Sequence, residues 1–293
     1  MAEVDLAPGL PPTTMGGVTT YAFSQLDVFA TGPLTGNPLA VVHDATGLSD
    51  EQMQLFAQWT DLSETVFLLP PSRPGADYLT RIFTPDRELP FAGHPTLGSA
   101  FAWLSTHPEH TADAVVQDCA AGALTVRRTA DGLAFAAPPL LRSGPVNDRV
   151  RAELAAGLRI DPAAILAAEW VANGPGWKAV LLADADAVLA VDPGLVPGDV
   201  GLVGPHPAGS AYAYEVRAFF VKNGVTCEDP VTGSFNAGVA QWLFESGRQT
   251  GPYVARQGTA IQRTGRISVE RDGDGTVWVG GAVRSVVQGE VDL

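Results

Sequence analysis

The chain is poor in cysteine and in basic residues, and it lacks any long uncharged hydrophobic run. Only two of its 293 residues are cysteines, Cys119 and Cys227, too few for a disulfide-stabilised secreted domain, so we interpret both as reduced thiols in a cytoplasmic protein. Eighteen Lys and Arg against 32 Asp and Glu give a net charge of -14, which disfavours nucleic acids and anionic membranes as partners. No uncharged run reaches the roughly 18 residues that span a bilayer, so no membrane segment is predicted.

The first 17 residues carry neither the basic start nor the apolar segment of a signal peptide, and we predict a flexible N-terminal lead-in there. The remaining chain, with a hydrophobic content of 46% overall, can build two moderate cores. We predict an N-terminal lobe at residues 18–137 and a C-terminal lobe at residues 138–293, divided at a proline pair. The last strand is expected in the second lobe or back in the first.

Local patterns predict mixed strands and helices. Ser49 and Gln52 form a capping box at the start of a helix whose apolar stripe contains Met53, Phe56 and Trp59. Further helices are predicted at residues 96–104, entered through 93–95, near 150–158, and from 230 to 245. Strands are predicted at residues 21–28, 39–42, 78–83, 124–128, 133–136, 177–182 and 215–221. The sequence DGDG at residues 272–275 predicts a hairpin turn, since the closing Glu of a calcium loop is missing.

Two segments of the chain repeat one pattern. They read FAGHPTLGSA at residues 91–100 and TCEDPVTGSF at residues 226–235, so His94 stands where the second copy has Asp229. Each copy follows a predicted strand and precedes an apolar helix that ends in Trp-Leu. The match indicates that one strand-turn-helix unit was duplicated.

Both copies predict a polar side chain at the start of a helix, because Pro favours the first helical position and Asp favours the N-cap. The amides of a first helical turn, together with the helix dipole, attract anions. If the lobes pack around a pseudo-twofold axis, the two helix starts face one cleft. We therefore predict that a small anionic metabolite binds there despite the acidic surface.

Five separated motifs resemble those of the PhzF-like phenazine-biosynthesis isomerases. They read DVF at 27–29, GNPLAVV at 36–42, LSETVF at 62–67, LPFAGHPTLG at 89–98 and EDPVTGS at 228–234. The similarity spans about residues 21–290, including QG at 257–258 and GRIS at 265–268. The resemblance implies an α/β (α+β) protein of diaminopimelate epimerase-like fold: two similar, pseudo-twofold related lobes, each a curled sheet around a central helix, with the active site between them. It also implies a homodimer and no cofactor.

The resemblance assigns roles to residues of this chain. The family's general acid/base is the glutamate of its Ser-Glu-Thr motif, which is Glu64 here. The histidine of Gly-His-Pro is His94 and the aspartate of the second motif is Asp229, so these three are the predicted catalytic residues. The predicted substrate-binding residues are Gly93, Ser234, Gly233 and Asn37. No metal ligands are predicted, because His107 and His110 lack a convincing third ligand.

The best-known reaction of that family moves a proton from C3 to C1 of 2,3-dihydro-3-hydroxyanthranilate. The resemblance thus implies a cofactor-independent proton shift on a small carboxylate. A binding protein without catalysis is an alternative, as is an amino-acid epimerase or racemase. The two-thiol racemases need a cysteine at each helix start, where this chain has His94 and Asp229.

Each site residue also has a simpler interpretation that its own surroundings favour. Asp229 alone is typical of a helix cap, and His94 alone is typical of a structural hydrogen-bonding residue. Glu64 alone is typical of an exposed acid. Asn37 is first of all a turn residue before Pro38. The functional interpretation of these four residues depends on the duplicated pattern and on the resemblance.

Overall fold

The computed structural model describes residues 13–15 and 18–293. The chain divides into two compact units. The first comprises the described residues up to Val28, Pro38–Phe135 and Ala282–Leu293, and the second comprises Phe29–Asn37 and Ala136–Gly281. The lead-in predicted at residues 1–17 lies outside the described residues, except for a short strand at 13–15. The domain limits predicted from the sequence stay a prediction.

The elements that lie wholly or mainly in the first unit are β1 (Thr13–Met15), β2 (Val18–Val28), β3 (Asn37–Val42), α1 (Asp50–Thr60), β4 (Thr65–Leu69), β5 (Tyr78–Phe83), β6 (Glu88–Leu89), α2 (Gly93–Thr106), β7 (Ala114–Cys119), β8 (Gly122–Thr129), β9 (Gly132–Ala136) and β19 (Val283–Asp292). Those of the second unit are β10 (Arg142–Pro145), α3 (Asp148–Leu158), β11 (Ala167–Ala172), β12 (Lys178–Leu181), α4 (Ala185–Leu189), β13 (Val200–Pro205), β14 (Tyr214–Lys222), β15 (Val225–Asp229), α5 (Gly233–Glu245), β16 (Tyr253–Gln257), β17 (Gly265–Arg271) and β18 (Val277–Gly281), with 3₁₀ turns at Pro162–Ala164 and Thr259–Ile261.

Strand pairing follows one order in both units. In the first unit β3 and β4 are parallel, β5 runs antiparallel to β4 and β6 and parallel to β7, and β7, β8 and β9 form an antiparallel series. In the second unit β12 and β13 are parallel, β14 runs antiparallel to β13 and β15 and parallel to β16, and β16, β17 and β18 form an antiparallel series. Two similar α/β lobes were predicted, and this prediction is confirmed.

A bidentate ion pair also repeats between the units. Arg81 on β5 donates two hydrogen bonds to Glu88 on β6, at 2.8 and 2.6 Å. Arg217 on β14 donates two to Glu228 on β15, at 3.1 and 2.7 Å. In each unit the glutamate faces, across the strand pair, the phenylalanine two residues after the arginine. The duplication therefore extends to side-chain register.

One helix in each unit is buried along most of its length. Helix α2 packs on β2, β4, β5, β7 and β8, and α5 packs on β11, β17 and β18. Helix α2 begins at Gly93, three residues before the predicted helix, and α5 begins at Gly233. The predicted start of α5 at Pro230 is wrong, because the preceding Asp229 is held in the β14–β15 ladder opposite Ala218. Asp229 is therefore a strand end and not the N-cap, a position that Thr232 occupies.

The predictions for α1 and for the hairpin turn are confirmed with one exception. Ser49 and Gln52 form the capping box that starts α1. Trp59 is 80% exposed and stacks on Phe56, so only Met53 and Phe56 of the predicted apolar stripe are buried. The third buried position belongs to Ala57. The turn after β17 is closed by Asp272, which accepts a hydrogen bond from the Thr276 amide.

The described residues can be compared with the sequence-based expectations on disulfides, membrane helices and metal sites. The buried Cys119 and the half-buried Cys227 are both free thiols. Of the helices in residues 13–15 and 18–293, none is long and apolar enough to span a membrane. Within the same residues, no three His, Cys, Asp or Glu side chains are close enough together to hold a metal ion.

Candidate active site

Glu64 and His94 meet within the first unit. Glu64 immediately precedes β4, and His94 is the second residue of α2, which packs on that strand. The Oε2 atom of Glu64 lies 3.6 Å from Nε2 of His94, and the two side chains are 16% and 4% exposed. Two of the three predicted catalytic residues are therefore neighbours, although they lie 30 positions apart in the sequence.

The ring of His94 is neutral at physiological pH. Burial lowers the pKa of His94 from 6.5 to about 3, although a hydrogen bond to the backbone of Pro38 acts in the opposite direction. The contact with Glu64 is therefore not an ion pair, and 3.6 Å is also longer than a hydrogen bond.

Asp229 is held by donors on both carboxylate oxygens. Asn37 donates from Nδ2 to Oδ1 of Asp229 at 2.9 Å and to the carbonyl of Val231 at 2.8 Å. The Thr232 hydroxyl donates to Oδ2 of Asp229. All of these contacts lie within the second unit. Both amide hydrogens of Asn37 thus bind protein groups, and its observed role is to fix Asp229. A contact between Asn37 and substrate stays a prediction.

Gln257 completes this arrangement with four hydrogen bonds. Its Nε2 donates to the hydroxyl of Thr232 at 2.9 Å and to the carbonyl of Asp229 at 3.1 Å. Its Oε1 accepts from the Thr232 amide at 3.1 Å and from Nδ2 of Asn236 at 2.9 Å. Since the Thr232 hydroxyl accepts from Gln257, its own hydrogen is directed at Asp229. The side chain of Gln257 therefore sets the direction of the hydrogen bonds around the carboxylate.

Thr232, Asn236 and Gln257 were not predicted as site residues. Two of them left a signal in the sequence: Gln257 belongs to the QG motif of the resemblance, and Asn236 directly follows the second copy of the repeat. Neither signal indicated a partner. The hydrogen bonds of Gln257 connect residues 21 to 28 positions apart, a range that no local pattern covers.

Gly93, Gly233 and Ser234 lie in the first turns of the two buried helices. Neither α2 nor α5 has a side-chain cap, whereas Ser49, Asn147 and Asp184 cap α1, α3 and α4. The hydroxyl of Ser234 accepts a hydrogen bond from Nε1 of Trp177 at 3.0 Å. The two helix starts that the repeat singled out are thus the α-helix starts without a side-chain cap in the described part of the chain.

Comparison with known proteins identifies the family. A family model described as phenazine biosynthesis-like protein, PhzC-PhzF, matches residues 26–289. The chain belongs to the PhzF family. An uncharacterized isomerase of Pasteurella multocida is 32% identical over 284 residues, which cover 94% of this PhzF-family chain and 95% of that protein. The trans-2,3-dihydro-3-hydroxyanthranilate isomerase of Pseudomonas chlororaphis is 54% identical, but over 85 residues that cover only 29% of this chain and 30% of that enzyme.

Solved structures agree with this assignment. A PhzF-family protein of Enterococcus faecalis matches with a TM-score of 0.73 and 26% identity. The match covers 94% of this chain and 100% of that protein. A hydroxyproline epimerase of Agrobacterium vitis matches with a TM-score of 0.59 at 12% identity, which shows a shared fold. The chain is therefore a PhzF-family isomerase with the epimerase-like fold, and these predictions are confirmed. The roles of Glu64, His94 and Asp229, the homodimer and the cytoplasmic location stay predictions.

Proposed function

We propose that this PhzF-family isomerase moves a proton between two carbons of a small carboxylate metabolite of the trans-2,3-dihydro-3-hydroxyanthranilate type, without a cofactor. Glu64 carries the proton. The observation that supports this most directly is the position of its carboxyl group, 3.6 Å from a histidine ring that burial keeps neutral. Such a carboxyl group can exist in both protonation states during one catalytic cycle, as a general acid/base must.

One carboxyl group is enough for the reaction. The Glu64 carboxylate takes a proton from the first carbon, and the electrons of the broken C–H bond enter the conjugated system of the substrate. The resulting carboxylic acid, whose proton exchanges with solvent, then delivers a proton to the second carbon, where a new C–H bond forms. Protons and electrons balance within the substrate, so no redox partner is required.

The roles of His94 and Asp229 differ from that of Glu64. The single N–H of the neutral His94 ring is taken up by the hydrogen bond to the Pro38 backbone, which leaves its second nitrogen as an acceptor. A ring with a pKa of about 3 does not compete with Glu64 for the proton. Asp229, fixed by Asn37 and Thr232, is proposed to accept a hydrogen bond from an amino or hydroxyl group of the substrate.

The positions of the cysteines do not support the two-thiol racemase alternative. Cys119 ends β7, and its thiol donates to the carbonyl of Gly122 at 3.3 Å. Cys227 lies on β15, two residues before Asp229. Neither thiol therefore stands at the start of α2 or α5.

Deuterium exchange tests the proposal and separates catalysis from binding alone. We expect the wild-type chain in D₂O to incorporate deuterium into trans-2,3-dihydro-3-hydroxyanthranilate, as followed by NMR. Replacement of Glu64 by Gln removes the proton carrier and should slow exchange by about 10²- to 10⁴-fold. The matched control Glu109→Gln, at an exposed site, should exchange at the wild-type rate. Unchanged exchange in Glu64→Gln, or wild-type binding without exchange, would contradict the proposal.

A further inference from the structure

Asn173 directly follows β11, and its side-chain amide contacts the start of α5. The oxygen of this amide is a buried hydrogen-bond acceptor. The residue is 4% exposed. Its Nδ2 donates to the carbonyl of Ser234, the second residue of α5, at 2.9 Å. Its Oδ1 is buried and has no hydrogen-bond partner among the described residues. Buried polar side-chain atoms are nearly always hydrogen-bonded, so an exception of this kind requires an explanation.

The orientation of this amide is fixed. Rotating the carboxamide of Asn173 by half a turn would place its oxygen against the carbonyl oxygen of Ser234, so Nδ2 must face the helix. One helical turn further on, Gly238 allows α5 to lie so close to β11 that an added Cβ would overlap the carbonyl oxygen of Val171. Trp177 holds Ser234 from the same loop. The acceptor atom therefore has one direction and cannot turn to find another partner.

The same helix start favours a negative group. Helix α5 has no side-chain cap, and the amides of a first helical turn, with the helix dipole, attract anions. The side chain that carries the unpartnered acceptor is thus bonded to the same helical turn whose amides favour an anion. A small carboxylate with an amino or hydroxyl group next to its acid group satisfies both requirements.

We infer that Asn173 is a substrate-contacting residue, and that its Oδ1 selects substrates with an N–H or O–H donor adjacent to the carboxylate. This inference rests on the proposed function, in which the substrate is a small carboxylate. It adds a residue that neither the duplicated motif nor the family resemblance singled out.

Three matched probes test the inference by isothermal titration calorimetry. Anthranilate carries an amino group next to its carboxylate, salicylate carries a hydroxyl group there, and benzoate carries neither. For the wild-type chain we expect anthranilate, salicylate or both to bind about 10-fold more tightly than benzoate, as one hydrogen bond allows. In Asn173→Ala this preference should disappear, while the affinity for benzoate changes less than about 2-fold. No preference in the wild type, or an unchanged preference in the variant, would overturn the inference.

A further variant and a further probe separate recognition from structure. Trp177→Phe removes the other side-chain contact to Ser234 and should weaken all three probes alike; an equal weakening in Asn173→Ala would mean that Asn173 is merely structural. If Asn173→Ala does not fold, the wild-type chain is titrated with 3-aminobenzoate, which carries the amino group one position further from the carboxylate than anthranilate does. It should bind no more tightly than benzoate, and binding as tight as that of anthranilate would overturn the inference.

Failure of the proposed function has a different signature. Full deuterium exchange in Glu64→Gln, together with a lost probe preference in Asn173→Ala, would remove the proton mechanism and leave the role of Asn173 in place. Lost exchange in Glu64→Gln with an unchanged preference in Asn173→Ala would do the reverse.

Discussion

Glu64 and His94 in the first unit approach each other to 3.6 Å around a neutral ring, whereas Asp229 in the second unit is fixed by Asn37 and Thr232. Gln257 then fixes Thr232 in turn. Both arrangements lie at the start of the buried helix of their unit, and both units have one topology. The difference shows how a duplicated framework can hold two kinds of site: a carboxyl group beside a buried, neutral ring, and a carboxyl group that hydrogen bonds hold on both of its oxygens.

The repeated ion pair gives the largest contrast between the units. The side chain of Glu228 is 9% exposed and that of Glu88 is 37% exposed. We expect Glu228→Gln to lower the free energy of unfolding by about 3–5 kcal/mol, because it leaves the buried Arg217 without a counter-charge. The same change at Glu88 should cost less than about 1 kcal/mol. Urea unfolding of the two variants measures both values, and equal losses would show that burial does not distinguish the two copies.

The packing of the two buried helices provides a second contrast. An added Cβ at Gly238 of α5 would overlap a backbone carbonyl, which cannot move aside. An added Cβ at Gly98 of α2 would overlap the end of the Leu39 side chain, which can turn. We expect Gly238→Ala to destabilise the chain by about 2–3 kcal/mol and Gly98→Ala by about 1 kcal/mol, after the gain in helix propensity. The denaturant midpoints of the two variants, at an unchanged m-value, measure these losses of stability. A larger loss in Gly98→Ala than in Gly238→Ala would contradict the prediction.

Acid sensitivity is the third and smallest contrast, and it concerns the first unit alone. The pKa of His94 is lowered from 6.5 to about 3 in the folded chain, so the unfolded chain binds a proton first as the pH falls. The stability associated with His94 is complete above pH 6.5 and is lost toward pH 3, at about 1.4 kcal/mol per pH unit. Between pH 6 and 5, the unfolding free energy of His94→Phe should change less steeply with pH than that of the wild type. The difference in slope corresponds to at most about one bound proton. Equal slopes for variant and wild type would mean that His94 is protonated in the folded chain.

Sequence patterns predicted those features that depend on neighbouring positions. The capping box joins Ser49 and Gln52, three positions apart, and the turn bond joins Asp272 and Thr276, four positions apart, so both could be predicted from local sequence. The start of α5 was wrong because strand pairing with Ala218 overrides the local preference of the Asp-Pro pair. Trp59 of the predicted apolar stripe is exposed, because periodicity identifies an apolar face but not the edge at which burial ends.

The candidate site was predictable only in part. The repeat and the resemblance singled out Glu64, His94 and Asp229, and the structure brings the first two together. The contacts around Asp229 could not be predicted, since Asn37 lies 192 positions away and Gln257 lies 28 positions away. Asn173 had no signal of its own, because an unsatisfied acceptor is visible only in three dimensions.

Because β19 is the last strand of the chain and belongs to the first unit, the two units are completed at different times during synthesis. Strand β19 pairs antiparallel with β2, so that Thr20 bonds Asp292, 272 positions later. The ribosome has made all strands of the second unit once Gly281 is complete, whereas the first unit, begun earlier, still lacks the partner of β2. Until then β2 keeps an open edge of the kind that recruits other chains. The part of the protein that is translated first is therefore finished last, and a nascent chain that stalls before residue 283 would expose that edge.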